Sequence, residues 1–461
     1  MELSKMKIEK FLNKKIAILG LGEENTALVK FLANCGSQIT VRDQKNKDEV
    51  ENYYREIANL PVKFKLGSDY LKNLNDYDII FRTPGLPYFN QKIQDAKKAG
   101  VQISSQTKHF FELCPCPIIG VTGTKGKGTT ATLIYEILKK KSKANSKIYI
   151  GGNIGNPPIN FLNKLNPTDW VILELSSFQI QDLDKSPYIA VILDIKIDHL
   201  DYHKDEKEYI EAKLNLVKFQ TKKDFAVINA DYLTSIEFAS STMAQVYWFS
   251  RRKSIDQGAF VDFDGEIILR DNEDYNVTSK DNLQLKGEHN LENITAAVTA
   301  SHLAGAKIEA IKETVEEFKG LEHRLEFVKE INGVKYYNDS FSTNPDTTIA
   351  AIKSFKEPII LLIGGSEKNA DYDQLAEIIS RSSVKTIINI GLTGQKIISK
   401  INSQNIEIFD DIQEMTAAID MAFKKANTGD IVLLSPASAS FDRYENYKQR
   451  GLLFKQSVKN L

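Results

Sequence analysis

The sequence predicts an α/β protein of three domains built mainly on parallel sheets. The 461-residue length suggests about three units of ~150 residues each. Short runs rich in Val, Ile and Leu alternate with longer amphipathic stretches. Strands buried on both faces, joined by crossover helices, read this way. Many of the runs end in Gly, Asn, Asp or Ser, and ligands of α/β proteins bind beyond the carboxyl ends of the strands.

The runs are KKIAILG (14–20), YDIIF (77–81), CPIIGVTG (116–123), WVILEL (170–175), IAVILDI (189–195), FAVINA (225–230), PIILLIGG (358–365), KTIINIG (385–391) and DIVLLSP (430–436). One boundary is expected near residues 106–115 and a second near Gly320, after the helix-like stretch 302–318. The domains are then 1–110, 111–320 and 321–461. Residues 251–285 alternate differently, and Asp264-Gly265 suggests a β-hairpin excursion in the middle domain.

The net charge of −1 gives no reason to expect nucleic acid or an anionic membrane as partner. The N-terminal stretch carries charges throughout and no 18-residue apolar run occurs, so neither a signal peptide nor a membrane span is expected, and the location expected is cytoplasmic. Three cysteines, Cys35, Cys114 and Cys116, fit a reducing compartment. Cys114-Pro115-Cys116 lacks the second Cys/His pair of a zinc site.

The strongest motif is GVTGTKGKGTT (120–130), between a strand and a helix. Such a loop presents backbone N–H groups and a helix N-terminus to phosphates, through Gly123, Thr124, Lys125, Gly126 and Gly128, with Lys127 reaching the β/γ-phosphates. Val121 and Gly128 depart from the usual pattern; Thr129 and Thr130 follow, and which hydroxyl would meet Mg²⁺ stays open. Glu174, closing WVILEL, is a candidate Mg²⁺ ligand. Asp198 and His199, after another buried strand, are candidates for a second divalent ion. Lys213 lies beside the apolar face of helix 206–219 and reads either as inward-pointing or as a snorkelling lysine. Asn290 and Asn293 share a helix face, either capping that helix or reading adenine and ribose edges.

These segments resemble the Mur ligases. TGTKGKGTT, GGNIGNP (151–157), LELSSFQ (173–179), DH (198–199), INAD (228–231), GEHNLEN (287–293), EHRLE (322–326), NDS (338–340) and LLSPASASFDRYENYKQRG (433–451) occur in the family's order along essentially the whole chain. LELSSFQ and the tail look most like the branch that adds D-glutamate to UDP-N-acetylmuramoyl-L-alanine. The resemblance implies a Rossmann-like first domain for UDP, a P-loop ATPase-like centre and a Rossmann-like third domain. It implies ATP and two Mg²⁺ ions as cofactors, a monomer, and an acyl-phosphate intermediate. It places Gly22, Asp43 and Thr83 at the nucleotide sugar, Asn153 at its muramoyl-alanine part, and Ser176 and Gln179 in the substrate loop. It places Lys127 on ATP phosphates, Thr129 and Glu174 at one magnesium, and His199 with a carbamylated Lys213 at the other. Asn290, Asn293, Arg324 and Asp339 would hold the nucleotide; Thr343, Lys368, Ser440 and Phe441 would hold the amino acid. Arg450 receives no role.

One departure bears on specificity. Phe341 stands where the family segment usually carries lysine, and phenylalanine cannot offset charge. L-glutamate or another acidic amino acid is therefore kept as an alternative, beside another Mur or folylpolyglutamate synthase-type ligase. A non-catalytic regulator on a degenerate phosphate loop has only Gly128 in its favour.

Overall fold

In the computed structural model, residues 10–141, 146–153, 156–196, 202–285, 287–366, 370–403, 405–410 and 412–461 are described. The chain forms two compact units, Met1–Phe318 and Lys319–Leu461. Among the described residues, no helix is long and apolar enough to cross a membrane.

The first unit holds two sheets. β1 (Lys15–Leu19), β2 (Gln38–Asp43), β3 (Val62–Leu66), β4 (Ile79–Arg82) and β5 (Gln102–Ser104) form a parallel sheet in the order β3-β2-β1-β4-β5. Strand order reverses between β1 and β4, so the loops after these two strands flank a crevice suited to a ligand. The stretch expected to divide the first two domains folds as helix Gln106–Leu113, capped by Ser105. Its Phe110 and Phe111 join an apolar core that runs continuously from Ile18 and Phe81 to Ile118 and Val171.

The second sheet comprises β6 (Ile118–Thr122), β7 (Ile148–Gly152), β8 (Trp170–Glu174), β9 (Ile189–Ile192), β10 (Phe225–Asn229), β11 (Gln245–Ser250), β12 (Gly258–Val261), β13 (Glu266–Arg270) and β14 (Asp274–Ser279). Its order is β14-β13-β12-β11-β10-β9-β6-β8-β7. The segment with a different alternation is an antiparallel meander, β12-β13-β14, added to the parallel edge at β11. Gly265, at φ +87°, makes the predicted turn. The helix-like stretch 302–318 is split: one helix, Glu288–Leu303, ends there and another, Ile308–Glu317, begins. Gly305, at φ +82°, stops the first with its N–H on the His302 carbonyl. Ile294, Ala297 and Val298 of the first helix share one core with Leu133, Ile134 and Ile137 of helix Lys127–Lys141.

The second unit carries β15 (Glu326–Ile331), β16 (Val334–Asn338), β17 (Ile359–Ile363), β18 (Val384–Asn389), β19 (Glu407–Phe409) and β20 (Ile431–Leu434) in the order β15-β16-β20-β17-β18-β19. β15-β16 is an antiparallel hairpin and the remaining pairs are parallel. Arg450, on helix Tyr447–Lys459, is fully buried here. Its guanidinium donates to the Ser340 hydroxyl (3.0 Å) and to the carbonyls of Ser340 (2.9 Å) and Ser438 (3.1 Å). Burial pulls it down to about 10. One side chain thus ties the loop after β16, the loop after β20 and the last helix.

Replacing Arg450 by Met removes the fork and leaves two buried carbonyls unpaired, a cost of about 3 kcal/mol. Chemical denaturation of the full chain should show that loss in the unit Lys319–Leu461. Arg450→Lys should recover only part of it, because an ammonium lacks the planar fork. Unchanged stability in Arg450→Met would remove the clamp from the account.

Candidate active site

β6 is apolar and fully buried, and the chain leaves its carboxyl end through Gly123–Gly126 into helix Lys127–Lys141. The loop is held from three sides. The Thr124 N–H donates to the Asp194 carbonyl at 2.7 Å, just beyond β9. The Thr124 hydroxyl donates to the Lys196 carbonyl (2.9 Å), and the Lys196 N–H returns a bond to it (2.8 Å). Gly126 adopts φ +83°, and a Cβ there would lie 2.1 Å from Asn293 Oδ1. Asn293 therefore packs where only a glycine leaves room. Its Oδ1 accepts from the Thr130 hydroxyl (3.3 Å), and its amide donates to Asn290 Oδ1 (3.0 Å). The Asn pair bonds within its face and to the loop, while Gly287 occupies the cap position. The Lys127 ammonium folds over the loop and donates to the Gly123 and Thr124 carbonyls, both at 3.0 Å. Lys125 is exposed; Gly128 and Thr129 are buried.

Glu174 pairs in register with Val121 of β6, so its carboxylate ends the strand next to the loop. The Asn153 amide donates to Glu174 Oε1 at 2.9 Å, and the Asn153 N–H donates to the Glu174 carbonyl at 2.9 Å. Lys213 is buried on helix Glu206–Lys218. Its Nζ donates to the Thr122 hydroxyl (3.1 Å) and the Gly123 carbonyl (3.3 Å), and lies 4.9 Å from the centre of the Tyr209 ring. The snorkelling alternative is thereby overturned: a snorkelling head reaches water, and this one reaches the buried start of the Gly-rich loop after β6. A cavity of about 500 Å³ opens on the same edge, lined by Asp194, Lys196, Glu206, Tyr209, Asp231 and Tyr232 among others.

Within the same unit, Leu21 N–H donates to Asp43 Oδ2 (2.6 Å) and Lys45 N–H to Oδ1 (2.8 Å), so Asp43 shapes the Gly-rich loop after β1. Gly20, at φ +87°, leaves room for Thr83, whose Cγ2 would stand 2.5 Å from an added Cβ. The loops after β1 and β4 thereby pack together at the crevice. Gly22 caps helix Glu23–Leu32 with no side-chain bond. Ser176 and Gln179 close a capping box on the short helix Ser177–Ile180. The Gln179 amide also donates to Glu24 Oε1. Burial pushes the Glu24 carboxyl up to about 7, against the Gln179 bond and the Arg82 charge. Arg82 is fully buried and lies 3.5 Å from buried Asp182.

In the second unit, Asp339 is buried and accepts from the Ser435 hydroxyl (2.8 Å) and the Leu325 N–H (3.1 Å). Burial raises its carboxyl to about 6, partly offset by Ser342, Ser435 and Arg324. Arg324 stands between His323 (φ +65°) and Leu325 (φ +42°), two left-handed residues that bear strain. Its guanidinium lies 4.6 Å from the centre of the Phe341 ring, which meets Tyr447 edge-on. Thr343 lies just before the Asn344 cap of helix Pro345–Ile352. Ser440 is buried, whereas Phe441 is 72% exposed.

The structure thus groups Gly123–Thr130, Glu174, Asn153, Lys213, Asn290 and Asn293 around one strand edge, and Gly22, Asp43 and Thr83 around another. Asp198, His199 and Lys368 lie outside the described residues. Sequence reasoning missed Thr122, whose hydroxyl accepts from Lys213, and Asp194, whose carbonyl seats Thr124. Thr122 ends β6 and Asp194 lies just beyond β9, beside motifs already singled out, and that position was the available signal. It also missed Glu24 and Arg82, whose roles arise from contacts distant in sequence.

Residues 14–105, 121–301 and 323–438 match the families described as Mur ligase MurD-like, N-terminal domain; Mur ligase middle domain; and Mur ligase, glutamate ligase domain. The UDP-N-acetylmuramoylalanine–D-glutamate ligase of Acetivibrio thermocellus is 39% identical, with 98% of each chain covered. The one of Symbiobacterium thermophilum is 40% identical, with 98% of this chain and 99% of its own covered. Among solved structures, UDP-N-acetylmuramoylalanyl-D-glutamyl-2,6-diaminopimelate–D-alanyl-D-alanyl ligase from Acinetobacter baumannii superposes with TM-score 0.59 at 14% identity, covering 99% of this chain and 97% of its own. UDP-N-acetylmuramate–alanine ligase from Thermotoga maritima gives 0.57 at 16%, covering 97% and 100%. At these identities the structural likeness establishes the fold alone.

The Gly126–Asn293 contact makes a prediction about the loop. Gly126→Ala meets both a steric clash and a left-handed φ, the latter costing about 1–2 kcal/mol. ATP binding, followed calorimetrically, should weaken about tenfold or more. Adding Asn293→Ala relieves the clash without touching φ and should not restore full affinity. Full affinity in Gly126→Ala would show that the loop is not pinned there.

Proposed function

The chain belongs to the Mur ligase family, and from that premise we propose that it joins D-glutamate to UDP-N-acetylmuramoyl-L-alanine at the cost of ATP. The reaction passes through an acyl-phosphate and serves peptidoglycan precursor synthesis in the cytoplasm, with the chain acting as a monomer. The observation that carries the chemistry is the buried lysine, Lys213, set against the phosphate loop. The near-full-length identity to D-glutamate ligases supports the choice of substrates.

A carboxylate is a poor acyl donor because oxide is a poor leaving group. Phosphorylation by ATP converts it to a mixed anhydride, which the amine of D-glutamate then attacks. Lys127 and the backbone N–H groups of Gly123–Thr129 bind and orient the phosphates. Asn290, Asn293, Arg324 and Asp339 hold the nucleotide. Gly22, Asp43 and Thr83 hold the nucleotide sugar, with Asn153, Ser176 and Gln179 placing its acyl end. Thr343, Lys368, Ser440 and Phe441 receive the amino acid. Domains 1–110, 111–320 and 321–461 serve UDP-sugar, ATP and amino acid respectively.

The donor set fits hard divalent cations. Glu174 has its Oε1 oriented by Asn153. The Thr130 hydroxyl is engaged by Asn293, which favours Thr129 as the alcohol ligand at that magnesium. His199 and a carbamylated Lys213 would hold the second. Magnesium would supply charge neutralisation on the transferring phosphoryl group. Carbamylation replaces an ammonium, which burial penalises, by an anion suited to a cation. The arginine over Phe341 supplies a cation near the position where the lysine is missing, which favours an acidic amino acid over a neutral one.

The direct test is to offer purified protein UDP-N-acetylmuramoyl-L-alanine, ATP and Mg²⁺ with D-glutamate, L-glutamate, D-aspartate and L-aspartate in turn. A kcat/KM for D-glutamate about a hundredfold above the others is expected. Preference for L-glutamate or aspartate would overturn the assignment. For the metal ligand, Lys213→Ala should lose activity about a hundredfold or more, and short carboxylates such as acetate should restore part of it. Normal turnover in Lys213→Ala would refute the carbamate.

A further inference from the structure

The Gly-rich loop after β1 has an unusual charge for a site that receives an anion. Helix Glu23–Leu32 begins with two glutamates, and its cap, Gly22, makes no side-chain bond. The first-turn N–H groups of such a helix attract negative ligands. The diphosphate of a nucleotide sugar would bring two negative charges to this place. Glu23 is exposed, so water screens it.

Glu24 is placed differently. Its Oε1 accepts from the Gln179 amide, and its Oε2 is buried with no hydrogen-bond partner among the described residues. Asn25 Oδ1 and Thr26 Oγ1, next along the same turn, are also buried without a partner among the described residues. Asn25 is 1% exposed and Thr26 4%. Three successive side chains thus hold polar atoms with no partner among the described residues. Buried polar atoms are normally paired, by protein, water or ligand, so these three are open to such a partner.

The charged groups facing Glu24 are Arg82 from β4, Asp182 from beyond helix Ser177–Ile180, and Glu23 from its own helix. Arg82 does not neutralise it outright. Its guanidinium already donates to the Leu86 carbonyl (2.7 Å), the Tyr202 hydroxyl (3.0 Å) and the Phe178 carbonyl (3.1 Å), and it pairs with Asp182. The carboxyl held near 7 therefore reflects burial more than any partner. Two histidines, His109 and His203, stand on nearby elements. His109 packs against Phe11 and Phe81, and His203 bonds Ser177 and Glu208.

We propose that Glu24 belongs to the nucleotide-sugar site and binds the diphosphate ester in its neutral form, Oε2–H donating to the ligand while Oε1 holds Gln179. The proposal rests on the reading of the first domain given above. It makes Glu24 a link between two loops: the one that receives the nucleotide and the one, Ser176–Gln179, that places the acyl end. It also fixes a sign. The ionised carboxylate repels the diphosphate and the neutral acid does not, so binding takes up a proton as pH rises through about 7. The diphosphate ester itself carries constant charge across that range.

The test is calorimetric titration of the full chain with UDP-N-acetylmuramoyl-L-alanine, without ATP, between about pH 6 and 8.5 in buffers of different ionisation enthalpy. The wild-type chain should bind about tenfold more weakly at the upper end and take up protons near neutrality. That measurement needs no variant. Glu24→Gln keeps an acceptor for Gln179 and cannot ionise. Whatever its affinity, that affinity should be the same at pH 6 and pH 8.5, with no proton uptake. Glu24→Ala should raise KM for the nucleotide sugar and also lower kcat, because Gln179 loses its anchor. A flat wild-type profile overturns the proposal, and so does a slope that persists in Glu24→Gln, which would pass the titration to a histidine. No binding at any pH would overturn the first-domain reading itself, and the proposal with it.

Discussion

The tight turn at the carboxyl end of β6 is the constraint on which the rest of the central domain depends. Gly126 takes a left-handed φ, and Asn293 fills the space its missing side chain leaves. That contact fixes helix Glu288–Leu303 against the loop. The Thr124–Asp194 bond fixes the end of β9, and the Thr122–Lys213 bond fixes helix Glu206–Lys218. Each partner also packs in an apolar core, so the loop's geometry is set by elements that cannot shift independently. A loop restrained in this way presents its N–H groups without reorganising, which is the form of electrostatic preorganisation that phosphoryl transfer requires.

A second polar layer joins the first sheet to the central one. Arg82 and Asp182 meet in a fully buried pair, His203 bridges Ser177 and Glu208, and Gln181 bonds the same Glu208. Buried ion pairs contribute little net stability against an apolar alternative, since desolvation offsets the attraction. They do demand one geometry. Beside them, helix Gln106–Leu113 supplies the apolar contact that makes the two sheets one unit. Apolar burial supplies the stabilisation and the polar layer supplies the register. The loop Ser176–Gln179 sits at this junction, where both sheets act on it.

The second unit solves a similar problem with one arginine. Arg450 gathers backbone carbonyls from two loops, and Asp339 gathers two hydroxyls and an N–H. Both charges are buried, and both are shifted toward neutrality by that burial. Arg324, held between two strained residues, lies over Phe341. Phe341 thus stands beside a cation carried by a neighbouring loop.

Much of this was legible in the sequence. All nine predicted strand runs are strands, because continuous Val/Ile/Leu character over four to six residues has few other stable uses in an α/β chain. The place of the Gly-rich loop between β6 and its helix, of Glu174 at a strand end and of Asn290 and Asn293 on one helix face was legible because residue pattern at short spacing fixes it. The break at Gly305 was misread, since helical periodicity continues across it and only the left-handed turn interrupts the helix. The direction of Lys213 stayed ambiguous for a related reason: a residue beside an apolar face can turn either way, and Thr122, 91 positions upstream, decides it. Glu24 and Gln179, 155 positions apart, carry no mutual signal in sequence at all. The sequence determined the elements, the order of the sheets' chemistry and the family, because local residue pattern governs those. Tertiary structure alone decided which charges are buried and what they touch, because desolvation depends on packing between segments that the chain brings together only when folded.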